Sequence, residues 1–344
     1  MRFRKNSSRL ALIIVTIIAL AGCESITKHL PGYATKPVVV EHNLISGRVG
    51  GNGPILVVKV DDTPQAHPQI GIDLADVVYI EQVEGGLTRL ATVFSSVIPA
   101  RIGPVRSARI TDIDLLGQYG HVAFAYSGAQ AKLFPVIAAA NLENLGAQRE
   151  SEVLYTRDPL RNAPVNLVLR ADLLMAKLSQ QNVVIASAKS PGWNFGVAPV
   201  GGKSIISVAL KWPANAYIAT WSPEQSRWLM FHTGTADLAD SGKQLGPTTL
   251  VIQMVSITPS IYHDKFGGVT PFSATVGEGS GYILRDGEVY EGRWNRPDAT
   301  AGTTWTSADG TPILFAPGQV WVALTDSPPV FAFPAPSASP APTK

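Results

Sequence analysis

Residues 77–95 read VVYIEQVEGGLTRLATVFS, and this stretch decides the fold of the first half of the chain. Two apolar runs, 77–83 and 87–95, flank Glu84-Gly85-Gly86. Glycines between two such runs are typical of a tight turn. Because both runs are rich in β-branched residues, the stretch predicts an antiparallel β-hairpin.

The segments on either side of this hairpin extend the same interpretation. Residues 55–60 (ILVVKV) and 122–126 predict two further buried strands. Residues 129–140 and 171–181 have helical patterning, and Asp172 lies where an acidic residue favours a helix N-terminus. Strands and helices in no strict alternation predict a mixed domain of α/β type over residues 40–190, and an α+β fold overall.

The pattern changes after Pro191-Gly192. Asp286-Gly287 and Asp309-Gly310 are strong hairpin signals between short apolar runs. The runs that predict strands are 205–210, 217–221, 228–232, 249–257, 282–284, 289–294, 312–315 and 320–324. Residues 200–330 therefore predict a mostly antiparallel β domain, which we expect to be separable by proteolysis and dominated by strands when isolated.

The first 22 residues have the three parts of a secretory signal peptide. A basic segment (Arg2, Arg4, Lys5 and Arg9) precedes the apolar run LALIIVTIIA at 10–19, and small residues follow. The apolar run ends near Gly22 and is shorter than the roughly 20 residues of a membrane-spanning helix. We therefore predict a signal that is removed rather than a permanent transmembrane helix.

Residues 20–23, Leu-Ala-Gly-Cys, resemble the lipobox of bacterial lipoproteins. The resemblance implies cleavage before Cys23, lipidation and acylation of that residue, and attachment to the extracytoplasmic face of the cell membrane. Cys23 is the sole cysteine of the chain, so no internal disulfide can form. Residues 23–39 would then be a lipidated tether, and residues 334–344 (PAPSASPAPTK) a disordered tail. The alternative is an ordinary secreted protein.

The composition of the chain argues against nucleic acid, metal ions and cofactors as partners. The chain has 28 basic and 26 acidic residues, and four of the basic ones lie in the signal. No basic tract remains, so nucleic-acid binding is not expected. The histidines His67, His121, His232 and His263 are scattered without metal-ligand spacing, so the sequence predicts no metal site and no cofactor.

The best candidate for a binding site follows residue 100. Arg101, Arg106 and Arg109 precede Thr111 and Asp114, which fit a capping box at a helix start. Cations at a helix N-terminus oppose its dipole, so an anion is expected beside them. The candidate ligand-binding residues are Arg106, Arg109, Arg101, Glu81, Glu84, Arg89 and Ser107.

The nature of that anion separates three hypotheses. The acids Glu81 and Glu84 would make the arginines an internal ion-pair network. An external carboxylate or phosphate would make them a binding site for an anionic small molecule or cell-wall ligand. Catalysis is the third alternative, but Ser107 lacks the Gly-x-Ser-x-Gly elbow of hydrolases, so no catalytic residue is assigned.

Several strings in the same order resemble the YerB-like lipoprotein family, a family of unknown function. They are DDTPQAHPQIG at 61–71, ADVVY at 75–79, VEGGLTR at 83–89, GPVRSAR at 103–109, DGTPI at 309–313 and PGQVWV at 317–322. The resemblance covers most of residues 50–325 and implies a fold and a location, without an activity.

The leading functional hypothesis is a membrane-anchored binding or scaffold protein of the cell envelope, without enzymatic activity. The alternative is an envelope hydrolase or transferase acting on a glycan, peptide or phosphodiester, with Glu81, Glu84, Asp112 and Asp114 beside the arginines in one cleft. A solute receptor is disfavoured because it would need two similar α/β lobes.

Overall fold

A computed structural model describes residues 40–264 and 266–335 of the chain. The signal segment, the tether to residue 39 with Cys23, and the tail from residue 336 lie outside the described residues. None of the helices in the described part is long and apolar enough to cross a membrane.

The described residues form 21 strands, three α-helices and five 3₁₀ turns. The strands are β1 (Leu56–Asp61), β2 (Val77–Gln82), β3 (Thr88–Phe94), β4 (Arg101–Ile102), β5 (Val122–Tyr126), β6 (Leu142–Gly146), β7 (Tyr155–Arg157), β8 (Leu167–Arg170), β9 (Lys203–Ser204), β10 (Ser207–Trp212), β11 (Asn215–Ser222), β12 (Arg227–His232), β13 (Thr235–Ala236), β14 (Thr249–Met254), β15 (Ile257–His263), β16 (Val269–Ser273), β17 (Gly277–Arg285), β18 (Glu288–Arg296), β19 (Thr304–Thr306), β20 (Val320–Thr325) and β21 (Val330–Ala332). The helices are α1 (Thr111–Gly117), α2 (Phe134–Ala139) and α3 (Ala171–Gln180). The 3₁₀ turns are Pro64–Ala66, Ile72–Leu74, Glu84–Gly86, Ala131–Leu133 and Ala147–Arg149.

A mixed sheet of 11 strands organises the fold, in the order β19-β18-β17-β14-β20-β2-β3-β1-β5-β6, with β9 beside β18. The predicted hairpin is confirmed: β2 and β3 pair antiparallel, and Glu84–Gly86 forms the turn between them. Gly85 and Gly86 both have positive φ, which glycine adopts without the steric cost of a Cβ. The predicted strands at 55–60 and 122–126 are β1 and β5, which pair in parallel.

Apolar layers cover both faces of this sheet. Successive side chains of β1 alternate between them, so Val58 and Val60 belong to one core cluster and Val57 to the other. A five-stranded antiparallel sheet, β13-β12-β11-β10-β21, contributes Trp212 and Trp228 to the first cluster. Two smaller sheets complete the set: the two-stranded β15-β16 and the three-stranded β4-β8-β7.

The two predicted domains share the large sheet. Strand β20, from the C-terminal half, lies parallel between β14 and β2, and β2 belongs to the N-terminal half. Residues from Glu41 onward cluster as one unit. The change of pattern near residue 191 therefore does not mark a break between two separate sheets, and the C-terminal half is not purely antiparallel.

Other predictions need correction in detail. The fold is mostly β, with fewer and shorter helices than an α+β interpretation suggests. The helix predicted at 129–140 is a 3₁₀ turn followed by the six-residue α2, which begins at Phe134 with a proline in its first turn. Residues 312–315 form isolated bridges instead of a strand, because Pro312 has no amide to donate. The helix predicted at 171–181 is confirmed as α3.

Candidate functional site

The charged residues of the candidate site lie at the C-terminal ends of β1 and β2 and at the start of β3. Asp61 pairs across the sheet with Arg89, and Arg89 pairs with Glu81 on its other side. Directly opposed residues share one face of a sheet, so these three form a row across adjacent strands. Asp61 and Glu81 are almost completely buried, so the ends of these strands carry charge inside the molecule.

Glu81 is paired with a residue that the sequence did not single out. Lys59, on the same face of β1, contacts the carboxylate of Glu81 and donates a hydrogen bond of 2.8 Å to Asp112 Oδ1. All three side chains are fully buried. Burial lowers the pKa of Lys59 to about 8, although the charge of Asp112 opposes this shift. Glu81 therefore belongs to a buried lysine network rather than to the arginine cluster.

Glu84 is the acid that meets the arginines. Arg109 donates to Glu84 Oε2 from Nε at 2.9 Å and from Nη2 at 2.6 Å, and the hydroxyl of Thr270 donates to Oε1. Burial raises the pKa of Glu84, but the hydrogen bond and charge of Arg109 outweigh it, so the pKa lies below its usual value. The glycine turn after β2 brings Glu84 away from the strand and towards Arg109.

Arg106 forms the second ion pair, through Nε with the carboxylate of Asp61. Its side chain lines a cavity of about 760 Å³, a volume typical of small-molecule sites. The other walls are the turn at Glu84, the loop before α2, and the hairpin of β15 and β16, with Tyr262 and Thr270. We call this space the arginine cavity.

Arg89 is the third guanidinium in the arginine cavity and differs from the other two. It donates from Nη1 to the carbonyl of Ser107 at 3.1 Å, but no carboxylate within the described ranges forms an ion pair with it. Burial, together with the charges of Arg109 and Arg106, lowers the pKa of Arg89 to about 9, although the charges of Glu84 and Asp61 oppose this shift. The cavity therefore contains a guanidinium held beside two like charges.

The structure places the remaining predicted residues as follows. The Ser107 carbonyl accepts from Arg89, while its hydroxyl lies 3.4 Å from that of Ser127. Arg101 is half exposed, lies 3.6 Å from Asp158, and lines a second cavity of about 730 Å³. Arg106 lines both cavities, so the predicted arginine cluster is divided between them.

The predicted capping box is wrong by two residues. The Arg109 amide donates to Asp112 Oδ2 at 2.6 Å, so Asp112, not Asp114, reaches back to cap the chain before α1. The hydroxyl of Thr111 instead accepts from the backbone of Ser273 on β16. This contact fixes the start of α1 against the hairpin that covers the arginine cavity.

Comparison with known families decides the identity of the chain. The model of the DUF3048 N-terminal domain, described as a protein of unknown function, matches residues 44–184. The model of the C-terminal domain of the same family matches residues 208–322.

The chain belongs to the DUF3048 family.

A relative and a solved structure agree with this assignment. The protein is 22% identical over 271 residues to "Putative lipoprotein YerB" of Bacillus subtilis (strain 168), a match covering 78% of this chain and 80% of that protein. The crystal structure of YerB from Bacillus subtilis superposes with a TM-score of 0.72 at 19% identity, covering 83% of this chain and 97% of that one. The likeness shows that the two proteins share a fold.

Two parts of the site in this DUF3048 protein were not predicted from the sequence. Lys59 stands in an apolar run, where an isolated lysine within a buried strand was the available signal. The β15–β16 hairpin was missed because residues 257–263 are largely exposed and lack a clear apolar alternation. Its contribution to the arginine cavity depends on the long-range contact of Thr270 with Glu84, which no local pattern indicates.

Proposed function

We propose that this DUF3048 protein is a lipid-anchored binding protein of the cell envelope whose arginine cavity takes the carboxylate or phosphate group of an anionic ligand. The observation that carries the proposal is the environment of the Arg89 guanidinium. A guanidinium in a cavity, beside two other arginines and without an ion pair to a carboxylate among the described residues, is stabilised by an added anion.

The charges around the cavity support this function. Arg106 and Arg109 each have one carboxylate, Asp61 and Glu84 respectively, so these two pairs are internally balanced. Asp264 also lines the cavity: its Oδ1 accepts from the amides of Phe266 and Gly268, both at 2.8 Å, and the charges of Arg109 and Arg89 contribute to lowering its pKa, although it forms no ion pair among the described residues. Arg89 therefore remains the cation best placed to bind a ligand.

The alternative hydrolase or transferase required four acids in one cleft. Glu81 and Asp112 are instead buried against Lys59, and Glu84 is bound by Arg109. Of the four acids only Glu84 lines the arginine cavity, and Asp114 does not line it. A carboxylate already held by arginine is a poor general base, which favours binding over catalysis at this site.

Replacing Arg89 by methionine tests the proposal directly. The change removes repulsion from Arg106 and Arg109, so we expect the melting temperature without added anion to be unchanged or raised. Binding of inorganic phosphate or citrate, measured by isothermal titration calorimetry, is expected to weaken by at least about tenfold, since a charge-assisted hydrogen bond contributes about 1.5–3 kcal/mol.

Two further variants make this result specific. Arg293 is an exposed arginine of β18, and Arg293→Met should leave both properties unchanged. Arg109→Met should instead lower stability by about 3 kcal/mol, because Glu84 loses its counter-ion. A marked drop in melting temperature for Arg89→Met, with anion binding intact, would show that Arg89 has a structural role only.

The anchor is tested at Cys23. Replacement by serine removes the thiol that the lipid would modify, so we expect the protein to move from the membrane pellet to the soluble fraction. Cells expressing Cys23→Ser and wild-type protein are fractionated and blotted, with metabolic labelling by a radioactive fatty acid. Recovery of a normally cleaved, unlabelled variant in the membrane pellet would contradict the anchor.

A further inference from the structure

A second polar cluster lies on the opposite face of β1. Asp62 follows directly after Asp61, and alternation turns its side chain away from the arginine cavity. Around it are His67, His232 at the end of β12, and Asp237 after β13. Asp62, His232 and Asp237 are at most 3% exposed, while His67 lines the second cavity.

Asp62 is held by many donors. The hydroxyls of Thr88 and Tyr217 donate to its carboxylate, as do the side-chain amides of Asn215 at 3.0 Å and Gln69 at 3.3 Å. His67 Nε2 faces Asp62 Oδ1 at 3.4 Å, and its Nδ1 lies 2.8 Å from Asp237 Oδ1. The two acids therefore fix the orientation of the His67 ring between them.

Three buried atoms near this ring lack a hydrogen-bond partner in the part of the chain that the structure describes. They are His232 Nε2, Asp237 Oδ2 and Gln69 Oε1. Buried polar atoms are satisfied as a rule, and each exception calls for an explanation. Their occurrence around one histidine indicates a missing polar partner rather than three separate defects.

The buried charges around the His67 ring indicate that the missing partner is a cation. Asp62 and Asp237 are both buried, and neither forms an ion pair with a lysine or arginine among the described residues. A divalent cation together with two neutral imidazoles balances both carboxylates.

We propose that this cluster binds a first-row divalent transition metal of the Zn²⁺ class, with Asp62, His67 and His232 as ligands. One potential ligand atom from each residue lies within 4.8 Å of the others. Imidazole nitrogens and a carboxylate are the ligands such metals prefer, and three protein ligands leave a position open. Asp237 would not bind the metal itself. It would accept a hydrogen bond from Nδ1 of His67 and so orient that ring while Nε2 binds the metal.

The ring geometry predicts a local movement on binding. His67 and His232 are stacked, with centroids 4.2 Å apart and planes 13° from parallel. Lone pairs of imidazole nitrogens lie in the ring plane, so two stacked rings cannot both direct one at the same ion. His232 is the ring expected to turn, because its Nε2 has no hydrogen bond within the described residues, whereas Nδ1 of His67 is held by Asp237.

Metal titration of the full chain tests the proposal. The protein is solubilised in mild detergent, stripped with EDTA, and titrated with Zn²⁺ by calorimetry and with Co²⁺ by visible absorption. We expect one ion per chain, a rise in melting temperature with Zn²⁺, and a Co²⁺ spectrum of nitrogen and oxygen ligands. His232→Phe should lower the affinity at least about 100-fold, and Asp237→Asn about 10–100-fold.

The controls separate this site from surface binding and from misfolding. His121 is exposed on the sheet rim, and His121→Phe should bind Zn²⁺ like wild type. His232→Phe keeps a ring of similar size and removes an Nε2 that has no hydrogen bond among the described residues, so its melting temperature in EDTA should be close to wild type, with His232→Gln as a second variant. Arg89→Met should retain full affinity, because that arginine lies on the other face of the sheet. No saturable binding, or equal affinity in wild type and both His232 variants, would overturn the proposal.

Discussion

Replacing Lys59 by methionine is expected to lower the free energy of unfolding by about 3–5 kcal/mol, because removal of one partner of a buried ion pair leaves uncompensated charge. Here the loss falls on two carboxylates, Glu81 and Asp112, which are both fully buried. Small domains are stable by only about 5–15 kcal/mol, so this loss is a large fraction of the total and the variant should unfold at a clearly lower urea concentration. Urea unfolding followed by tryptophan fluorescence measures the change.

Two further variants test whether the loss of stability comes from the unpaired carboxylates. Lys211 is an exposed lysine of β10, and Lys211→Met should change stability by no more than about 0.5 kcal/mol. Adding Glu81→Gln and Asp112→Asn to Lys59→Met removes the stranded charges and should recover a large part of the loss, since an amide oxygen can still accept from the Arg109 amide. A Lys59→Met protein that unfolds at the wild-type urea concentration would show that the network is not needed for stability.

The isolated C-terminal half, residues 200–344, is expected to be insoluble or unfolded. This reverses the expectation of a separable β domain, because strand β20 would lose its partner β2 along one edge. All six residues of β20 are buried, so the fragment would expose an apolar edge strand that favours aggregation. Expression alone and together with residues 40–199, followed by size-exclusion chromatography, tests this; co-expression should restore a soluble complex.

A cleavage experiment on the intact chain provides the matched control. Val197 and Val200 are highly exposed in the loop between the two family segments, so a protease site placed there should be cut readily. We expect the two pieces to stay associated after cutting and to separate only in denaturant. A monomeric 200–344 fragment with cooperative unfolding would contradict the dependence on β2.

The sequence predicted those parts of the fold that depend on neighbouring residues. The β2–β3 hairpin follows from two apolar runs and two adjacent glycines, and α3 from one apolar face. The helix at 129–140 was overestimated because Pro135 is tolerated in a first turn, so α2 can begin only at Phe134. The position of β20 could not be predicted, since its pairing with β2 joins distant parts of the chain.

The candidate site, too, could be predicted from the sequence only where it depends on neighbouring residues. The sequence indicated an arginine cluster with an acid close by, and Arg109 with Glu84 fits that expectation. It could not decide between Glu81 and Glu84, because the choice depends on a glycine turn that redirects the chain after β2. His67 and His232 appeared scattered for a similar reason, since the turn that follows β1 and the end of β12 meet only in the folded chain.

The central place of β20 also sets the order in which the protein can assemble. Ribosomes make a chain from its N-terminus, so residues 320–325 become available only after β2 and β14 have been made. Until then β2 and β14 each have an open edge, and contacts so distant in sequence form slowly. A nascent chain of this protein is therefore exposed to aggregation until β20 has emerged, and we expect its yield to depend on chaperones that hold unfolded chains.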